Sequence, residues 1–271
     1  NVVGVAKIHG GSGNPAPYTA GGTFRGIQAS LQWKFGSTSL KGKSVVVQGV
    51  VGHYANNAIL GAIKNLQMTP TQRGDCLRRL AEVLANKSED LGRVETVDTG
   101  KMLKETKWQA KYISQFFNFY AGCADKVSGD TLPIDKPDLF VFTNREPLGV
   151  VAAVVPWNSQ LFLVAVKIGP ALAAGNTVVL KASEHASAAM LEFGKCIEEA
   201  GIPPGVVNII TGHGDPCGKV LTSHPKVSRI SFTGGPNSAR HVVKNSAENF
   251  AEVSLELGGK SPFIVFDDAN I

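Results

Sequence analysis

The spacing of apolar residues predicts helices between residue 69 and about residue 120. Thr69-Pro70-Thr71-Gln72 is typical of a helix start, because threonine can cap, proline suits the first helical position and glutamine completes a capping box. Apolar residues at helical spacing follow, with a break predicted near Asn86-Lys87-Ser88: Leu77, Leu80, Val83, Leu84, Leu91 and Val94. A further helix carries an aromatic stripe, which we interpret as a packing face: Trp108, Tyr112, Ile113, Phe116, Phe117 and Tyr120.

From residue 148 onward, short apolar runs rich in β-branched residues alternate with helical patterns. Strands are predicted at residues 150–155, 177–180, 206–210, 227–232 and 251–255, and helices at residues 161–174, 186–200, 215–223 and 236–248. Strands that alternate with helices of this length indicate a parallel sheet covered on both faces. The predicted fold class is therefore α/β, a Rossmann-like parallel sheet flanked by helices and preceded by a mainly helical segment.

The composition is that of a globular protein, with 43% hydrophobic and 18% charged residues and a formal net charge of +5. Lysines and arginines are scattered, so a slightly basic solvated surface is favoured over nucleic-acid binding. The cysteines (Cys76, Cys123, Cys196 and Cys217) form no CxxC pair, and the histidines have no zinc spacing, so no metal is predicted. Unpaired thiols, with no signal peptide or apolar membrane-spanning run recognisable in the sequence, predict a cytoplasmic protein.

Candidate chemistry lies at the carboxyl ends of the predicted strands, where open parallel sheets bind their ligands. Pro156-Trp157-Asn158 closes the first of these strands, and the side-chain amide of Asn158 could stabilise an oxyanion. Lys181 and Glu184, with Ser183 between them, follow the next strand and could hydrogen-bond the hydroxyls of a ribose. A glutamate at this place would repel a 2′-phosphate, which favours NAD over NADP.

Two later strand ends add to this set. Phe232-Thr233-Gly234-Gly235 precedes a predicted helix that begins at Pro236, and two glycines there let a pyrophosphate approach the backbone N–H groups. Glu256, followed by Leu257 and Gly258, ends another strand and could act as a general base on water. Taken singly, a Gly-Gly pair is usually only a turn and a strand-end glutamate only a solvated charge. Their common placement at strand ends favours a ligand site.

Ordered motifs from about Met68 to Ile271 resemble the aldehyde dehydrogenase family. They are Asp98-Thr99-Gly100-Lys101, Arg145-Glu146-Pro147-Leu148-Gly149-Val150, Pro156-Trp157-Asn158, the run from Gly169 to Asn176, Lys181 with Glu184, Pro203-Pro204-Gly205-Val206-Val207-Asn208, Phe232-Thr233-Gly234 and Glu256-Leu257-Gly258-Gly259-Lys260-Ser261-Pro262. The resemblance implies NAD-dependent oxidation of a small-molecule aldehyde to a carboxylic acid, through a cysteine thiolate and a thioester. We also expect a homo-oligomer, with neither nucleic acid nor a membrane as partner.

The resemblance implies roles for the matched positions. Asn158 resembles the oxyanion-hole amide and Glu256 the base that activates water for thioester hydrolysis, and these two are the predicted catalytic residues. Lys181 and Glu184 resemble the adenosine-ribose ligands, and Gly234-Gly235 resembles the pyrophosphate turn. The predicted cofactor-binding set is Pro156, Trp157, Lys181, Ser183, Glu184, Gly214, Phe232, Thr233, Gly234, Gly235, Leu257 and Gly258.

The chain departs from the family pattern in three places. Ser159-Gln160 replaces the aromatic-proline pair that commonly follows the asparagine, and Gly235 stands where many members have serine. The family's nucleophilic cysteine would lie beyond Ile271, so we expect an incomplete domain with absent or very low activity on its own. Cys217, at a predicted helix start that could lower its thiol pKa, does not match the nucleophile motif and is not predicted to be catalytic.

Residues 1–67 form a separate predicted segment. Gly13-Asn14-Pro15-Ala16-Pro17, Phe24-Arg25-Gly26-Ile27-Gln28-Ala29 and Leu40-Lys41-Gly42-Lys43 resemble the start of the cofactor domain of leucine and phenylalanine dehydrogenases. The turn Gly49-Val50-Val51-Gly52 has one residue too many between its glycines for a dinucleotide fingerprint. We therefore predict a junction between about residue 53 and residue 68, separating residues 1–67 from an NAD-binding domain at residues 68–271.

Three functions stay open from the sequence. The motifs favour the NAD-binding unit of an aldehyde dehydrogenase, impaired by its missing nucleophile. A non-catalytic protein that binds NAD or oligomerises is the first alternative, and an amino-acid dehydrogenase remnant is the second. The origin of the junction is also open among fusion, rearrangement, assembly error and deliberate construction.

Overall fold

The computed structural model describes residues 68–270, and the predictions for residues 1–67 lie outside this range. The described part begins with three helices, α1 Pro70–Asn86, α2 Ser88–Thr99 and α3 Leu103–Cys123. The predicted capping box is present, because Gln72 N donates to Thr69 Oγ1 at 3.3 Å and Thr69 N donates to Gln72 Oε1 at 2.9 Å. The predicted break also falls where expected, at Lys87 between α1 and α2.

The remaining elements alternate between strands and helices, as the sequence predicts. After a short antiparallel pair, β1 Thr131–Leu132 and β2 Val141–Phe142, come β3 Val150–Val154, α4 Gln160–Ala173, β4 Thr177–Lys181, α5 Ala188–Glu199, β5 Val207–Ile210, α6 Lys219–Ser223, β6 Val227–Thr233, α7 Pro236–Ser246 and β7 Glu252–Glu256. The β1–β2 pair is not predicted by the apolar pattern. The helix predicted at residues 215–223 is shorter than expected, because a separate turn at Gly214–Gly218 precedes α6.

The five long strands form one parallel sheet in the order β5-β4-β3-β6-β7. The chain starts in the middle at β3, adds β4 and β5 on one side, and then crosses to add β6 and β7 on the other. This is the strand order of doubly wound nucleotide-binding sheets, and the point where the order reverses lies between β3 and β6. The predicted α/β fold class is confirmed.

The sheet separates two cores, because successive side chains of a buried strand face opposite sides. Val151 and Ala153 of β3 face the larger core, which is covered by α4 and α5 and, outside them, by α1–α3. Val150 and Ala152 face the smaller core, together with Leu221 of α6 and residues of α7. The two cores hold the carboxyl ends of the strands in register. In the described range, no helix is long and apolar enough to cross a membrane.

Candidate functional site

A cleft of about 730 Å³ lies at the carboxyl ends of β3, β4 and β6, on the side of the sheet that carries α6 and α7. The register explains its position, because Val154 lies opposite both Lys181 of β4 and Phe232 of β6. The structure brings together these sequence-predicted cofactor residues along the cleft wall: Pro156, Trp157, Lys181, Ser183, Glu184, Gly214, Phe232, Thr233, Gly234 and Gly235. The strand order thus gathers residues that are up to 79 positions apart, from Pro156 to Gly235, into one site.

Lys181 and Glu184 form the charged corner of the cleft. Lys181 is only 5% exposed, and its Nζ donates to the backbone oxygen of Ala182 at 3.0 Å and to Glu184 Oε2 at 3.2 Å. Burial acts to raise the pKa of the Glu184 carboxyl, but a backbone hydrogen bond and the Lys181 ammonium together hold that pKa below its usual value. His213 Nδ1 lies 4.0 Å from Glu184 Oε1. The corner therefore presents an ionised, oriented carboxylate beside a fixed ammonium group.

The turn that follows β6 offers unused donors. Gly234 N donates to the Glu256 backbone oxygen at 3.1 Å, so this amide is already bonded within the sheet. Gly235 caps α7, and among residues 68–270 no side-chain capping hydrogen bond is made to the start of that helix. A Cβ added at Gly235 would meet nothing within 4 Å, whereas a Cβ at Gly234 would lie 2.7 Å from the Phe232 ring. The open approach is therefore to Gly235 and the start of α7.

Thr233 supplies a second unsatisfied group at this turn. Its Oγ1 is buried and has no hydrogen-bond partner among the described residues, although Thr233 lines the cleft. Leaving a buried hydroxyl unbonded costs about 1–3 kcal/mol, so such an atom marks a place where a ligand group gains a hydrogen bond. The sequence analysis included Thr233 among the predicted cofactor-binding residues only because it belongs to the Phe232-Thr233-Gly234-Gly235 motif.

Asn158, Glu256, Leu257 and Gly258 lie outside the lining of the cleft. Asn158 is an exposed residue just before α4, and Glu256 is the exposed last residue of β7, paired in register with Thr233. Leu257 and Gly258 are likewise exposed. The two predicted catalytic residues therefore lie at the same edge of the sheet as the cleft, Asn158 in the loop after β3 and Glu256 at the end of β7, and β3 and β7 are the strands that flank β6.

Lys167 is a residue that the sequence reasoning missed. It lies on α4 and is 7% exposed, and its Nζ donates to Ser231 Oγ of β6 at 2.9 Å. Burial lowers the pKa of this amine to about 8, and the nearby charge of Glu256 opposes the decrease. A lysine within an apolar helical run carries no motif, so only its burial identifies it.

The thiol of Cys217 does not have the lowered pKa that a position at a helix start would favour. It is 0% exposed, and burial raises its thiol pKa to about 11, with the Lys181 charge opposing the shift. The sequence-based idea of a lowered pKa at Cys217 is therefore wrong, because desolvation outweighs the helix terminus. Its exclusion as a nucleophile agrees with the structure.

The outer wall of the cleft was also missed. It consists of residues from α6 and α7 and the turn before them: Asp215, Gly218, Lys219, Thr222, Ser238, His241, Val242, Lys244 and Asn245. The sequence did contain a signal for part of this wall. Ser238, His241 and Asn245 follow the Gly234-Gly235 turn at helical spacing, which places all three side chains on one face of α7.

Comparison with known proteins agrees with this geometry. The model of the aldehyde dehydrogenase family matches residues 54–271. The chain belongs to the aldehyde dehydrogenase family. A (Z)-2-((N-methylformamido)methylene)-5-hydroxybutyrolactone dehydrogenase of Acinetobacter baylyi is 60% identical over 204 residues, which are 75% of this chain and 42% of that protein. A hydroxyisobutyraldehyde dehydrogenase of Mycolicibacterium austroafricanum is 43% identical over 197 residues, or 73% of this chain and 39% of the relative.

Solved structures of aldehyde dehydrogenases share the fold. The betaine aldehyde dehydrogenase of Staphylococcus aureus, solved in complex with NAD+, matches with a TM-score of 0.78 and 39% identity over 81% of this chain and 45% of that chain. This chain therefore spans less than half the length of the aldehyde dehydrogenases it matches. The family match begins at residue 54, within the interval where the sequence places a junction.

Proposed function

We propose that this aldehyde dehydrogenase chain binds NAD in the cleft at the carboxyl ends of β3, β4 and β6, as the cofactor-binding part of an enzyme that oxidises an aldehyde to a carboxylic acid. The observation that carries the proposal is the convergence of a fixed Lys181–Glu184 pair, an uncapped α7 start and the unbonded Thr233 hydroxyl in one cleft. The NAD-bound state of the betaine aldehyde dehydrogenase relative supports the same cofactor.

The groups present fit a dinucleotide. The Lys181 ammonium donates to ribose hydroxyls, and the Glu184 carboxylate accepts from them while repelling a 2′-phosphate. The amides of Gly235 and the first turn of α7 donate to a pyrophosphate, which the positive end of the helix dipole also favours. Thr233 Oγ1 gains the partner that the protein itself does not provide. When bound, NAD+ supplies the acceptor for a hydride from the aldehyde carbon.

The protein's own catalytic contribution falls to residues beside the cleft. The side-chain amide of Asn158 donates to the oxyanion that forms on the attacked aldehyde, and Glu256 takes a proton from the water that releases the acid. The described cysteines do not supply the attacking thiolate. Cys76, Cys196 and Cys217 are buried and burial raises the thiol pKa of each, and Cys123, the last residue of α3, does not line the cleft. We therefore propose that this chain alone has absent or very low dehydrogenase activity.

The decisive experiment is a titration of the chain with NAD+, followed by calorimetry and by the fluorescence of Trp157 at the edge of the cleft. We expect saturable binding, weakened at least tenfold by Lys181→Met. The matched control is Lys195→Met, because Lys195 forms an exposed pair of the same i,i+3 spacing with Glu192 on α5, outside the cleft lining. No binding of NAD+ to the unmodified chain at millimolar concentration would contradict the proposal.

Self-association is a second candidate function, favoured by the β1–β2 pair. Phe142 of β2 and Phe140 just before it are 63% and 74% exposed, and their ring centroids lie 5.9 Å apart. Neighbouring large apolar side chains that are exposed are typical of interaction surfaces. We propose that this pair contacts a second copy of the chain. Light scattering at increasing concentration should show a dimer or larger species that Phe140→Ser with Phe142→Ser converts to monomer, and an unchanged mass would refute this contact.

A further inference from the structure

Another cavity lies at the opposite edge of the sheet from the cofactor cleft. Its volume is about 40 Å³, and it is bounded by the start of α1, the end of α4 and the segments that lead into β3, β4 and β5. Thr177 is the first residue of β4 and Val206 immediately precedes β5, so the cavity lies at the amino ends of these strands. The proposed cofactor contacts give this cavity no role.

Arg73 is the charged group of this cavity. The side chain is partly buried, and its Nε donates to the backbone oxygen of Ala173 and its Nη1 to that of Met68, both at 3.0 Å. A guanidinium carries five N–H groups and two are used here, so three have no acceptor among residues 68–270. Gly175 permits this arrangement, because a Cβ added there would lie 3.3 Å from Arg73 Cζ. The guanidinium is therefore fixed beside the cavity with unused donors.

Arg73 also lacks an anionic partner in the described part of the chain. Arg78, Arg93 and Arg229 each pair with a carboxylate there, whereas the described contacts of Arg73 are to backbone oxygens. Burial lowers the pKa of the Arg73 guanidinium, and no neighbouring carboxylate charge opposes this decrease. Residues 1–67 contain neither aspartate nor glutamate, so that segment has no side-chain carboxylate to supply. The charge of Arg73 is therefore available to an external anion.

Thr177 supplies a second donor at the same cavity. It is 1% exposed, and its Oγ1 has no hydrogen-bond partner among the described residues. The neighbouring Asn176 differs, because its side chain already bonds to the Gly149 amide at 3.1 Å and to the Ala171 backbone oxygen at 3.2 Å. A buried hydroxyl without a partner favours a ligand that brings an acceptor. Arg73 and Thr177 thus require the same kind of group from a ligand.

The rest of the cavity wall is apolar and determines the class of ligand. It is formed by Met68, Leu77, Pro147, Leu172, Ile202 and Val206. We propose that the cavity binds a short aliphatic carboxylate, such as propionate, whose oxygens accept from Arg73 and Thr177 and whose alkyl chain lies against this wall. The forked N–H groups of a guanidinium match the two oxygens of a carboxylate, and the apolar wall excludes water from the alkyl chain.

The size and charge of the cavity disfavour other occupants. One water molecule needs about 10–15 Å³ of such space, so the cavity holds only about three groups of that size, which is too few for a nucleotide. Inorganic phosphate would turn unbonded oxygens towards the apolar wall, and a metal cation would be repelled by Arg73. Carboxylic acids are also the product class of the proposed reaction, but this cavity lies at the other edge of the sheet. The inference therefore does not depend on the proposed function.

The test is a titration of the chain with propionate at constant ionic strength, followed by calorimetry. We expect saturable binding with a Kd of about 1–10 mM, the weak affinity of so small a ligand. Propionamide, which has the same shape without the charge, should bind at least about tenfold more weakly, and so should phosphate. Lys181→Met, which alters the cofactor cleft, should bind propionate like the unmodified chain, because Lys181 does not line this cavity.

Thr177→Val and Arg73→Met test the two donors. Each should weaken propionate binding at least about tenfold, since each removes a hydrogen bond to a charged group. Thr177→Val keeps the shape of the side chain and removes an unbonded hydroxyl, so it tests the site without impairing folding, whereas Arg73→Met also loses two backbone contacts. Arg78→Met is the matched control, because Arg78 is an exposed arginine of α1 that pairs with Asp75 outside the cavity lining. Far-UV circular dichroism checks that each variant is folded.

Four outcomes would overturn the inference. The first is the absence of saturable propionate binding up to about 100 mM. The second is unchanged propionate binding to Thr177→Val, and the third is propionamide or phosphate binding as tight as that of propionate. The last is a loss with Arg78→Met as large as that with Arg73→Met, because the anion would then be held by general surface charge.

Discussion

Replacing Lys167 with methionine removes a buried amine whose titration should be visible in the stability of the protein. Burial lowers the pKa of Lys167 from 10.5 to about 8, with Glu256 acting in the opposite direction. The unfolded chain therefore binds more protons at this site between these two pH values. Because stability rises with pH wherever the unfolded state binds more protons, Lys167 makes the free energy of unfolding increase over this range.

The size of the effect follows from the difference between the two pKa values. Each pKa unit corresponds to about 1.4 kcal/mol, so keeping Lys167 charged in its buried position costs about 3 kcal/mol below pH 8. Between about pH 7 and about pH 9.5, roughly 2 kcal/mol of this cost should disappear. The hydrogen bond from Lys167 Nζ to Ser231 Oγ offsets the cost only in part, since a hydroxyl does not neutralise an ammonium charge.

Urea unfolding at the two pH values, measured for the unmodified chain and for Lys167→Met, isolates the contribution of Lys167. Cys196 and Cys217 have raised thiol pKa values and also affect stability in alkali, but they are present in both proteins and cancel in the difference. We expect Lys167→Met to be more stable at about pH 7 and to lose most of this advantage at about pH 9.5. An advantage that is equal at both pH values would refute the reasoning, because apolar packing alone has no such pH dependence.

Three further predictions concern the cleft and the core. Thr233→Val should raise the free energy of unfolding by about 1 kcal/mol in urea titrations, because it removes an unbonded buried hydroxyl. The same variant should weaken NAD+ binding in calorimetry, and stronger binding would contradict the role assigned to the Thr233 hydroxyl. Gly234→Ala should lower the free energy of unfolding by about 1–3 kcal/mol, because the added Cβ clashes with the Phe232 ring, whereas Gly235→Ala should be nearly neutral. Equal shifts of the melting temperature in the two variants would contradict this difference. Phe117→Ala, at a fully buried position of α3, should cost about 3–5 kcal/mol in the same assay, whereas Phe119→Ala, 64% exposed on the same helix, should cost far less.

The part of the fold that the sequence predicted is the part governed by periodicity and local chemistry. The capping box at Thr69 and Gln72, and the alternation of strands and helices after residue 148, depend on neighbouring residues and were correct. Strand order was not available from such patterns, because the crossing from β5 to β6 is set by how helices cover the two faces of the sheet. The β1–β2 pair was missed because each of its strands is only two residues long.

The same limit applies to the site. Residues at the ends of strands were found because a parallel sheet brings all its carboxyl ends to one edge, which links Lys181 to Phe232 without knowledge of the packing. Lys167 was not found, since it lies within a helix and gains its significance only from the burial and the Ser231 contact that packing creates. Cys217 was given the wrong pKa direction for the same reason, because burial cannot be read from its position near a helix start.

Two helix starts at this edge of the sheet explain why the cleft lies on the α7 side. In many doubly wound folds the helix after the first strand holds the phosphates, and here that helix is α4. Its first amides, however, already donate to the buried carboxyl of Glu95, including Leu161 N at 3.4 Å from Glu95 Oε1. Within the described part of the chain, the start of α7 has no side-chain cap, and its capping residue is a glycine that is open to the cleft. An acidic side chain from α2 therefore takes the anion position at one helix, and the phosphate position is left to the other.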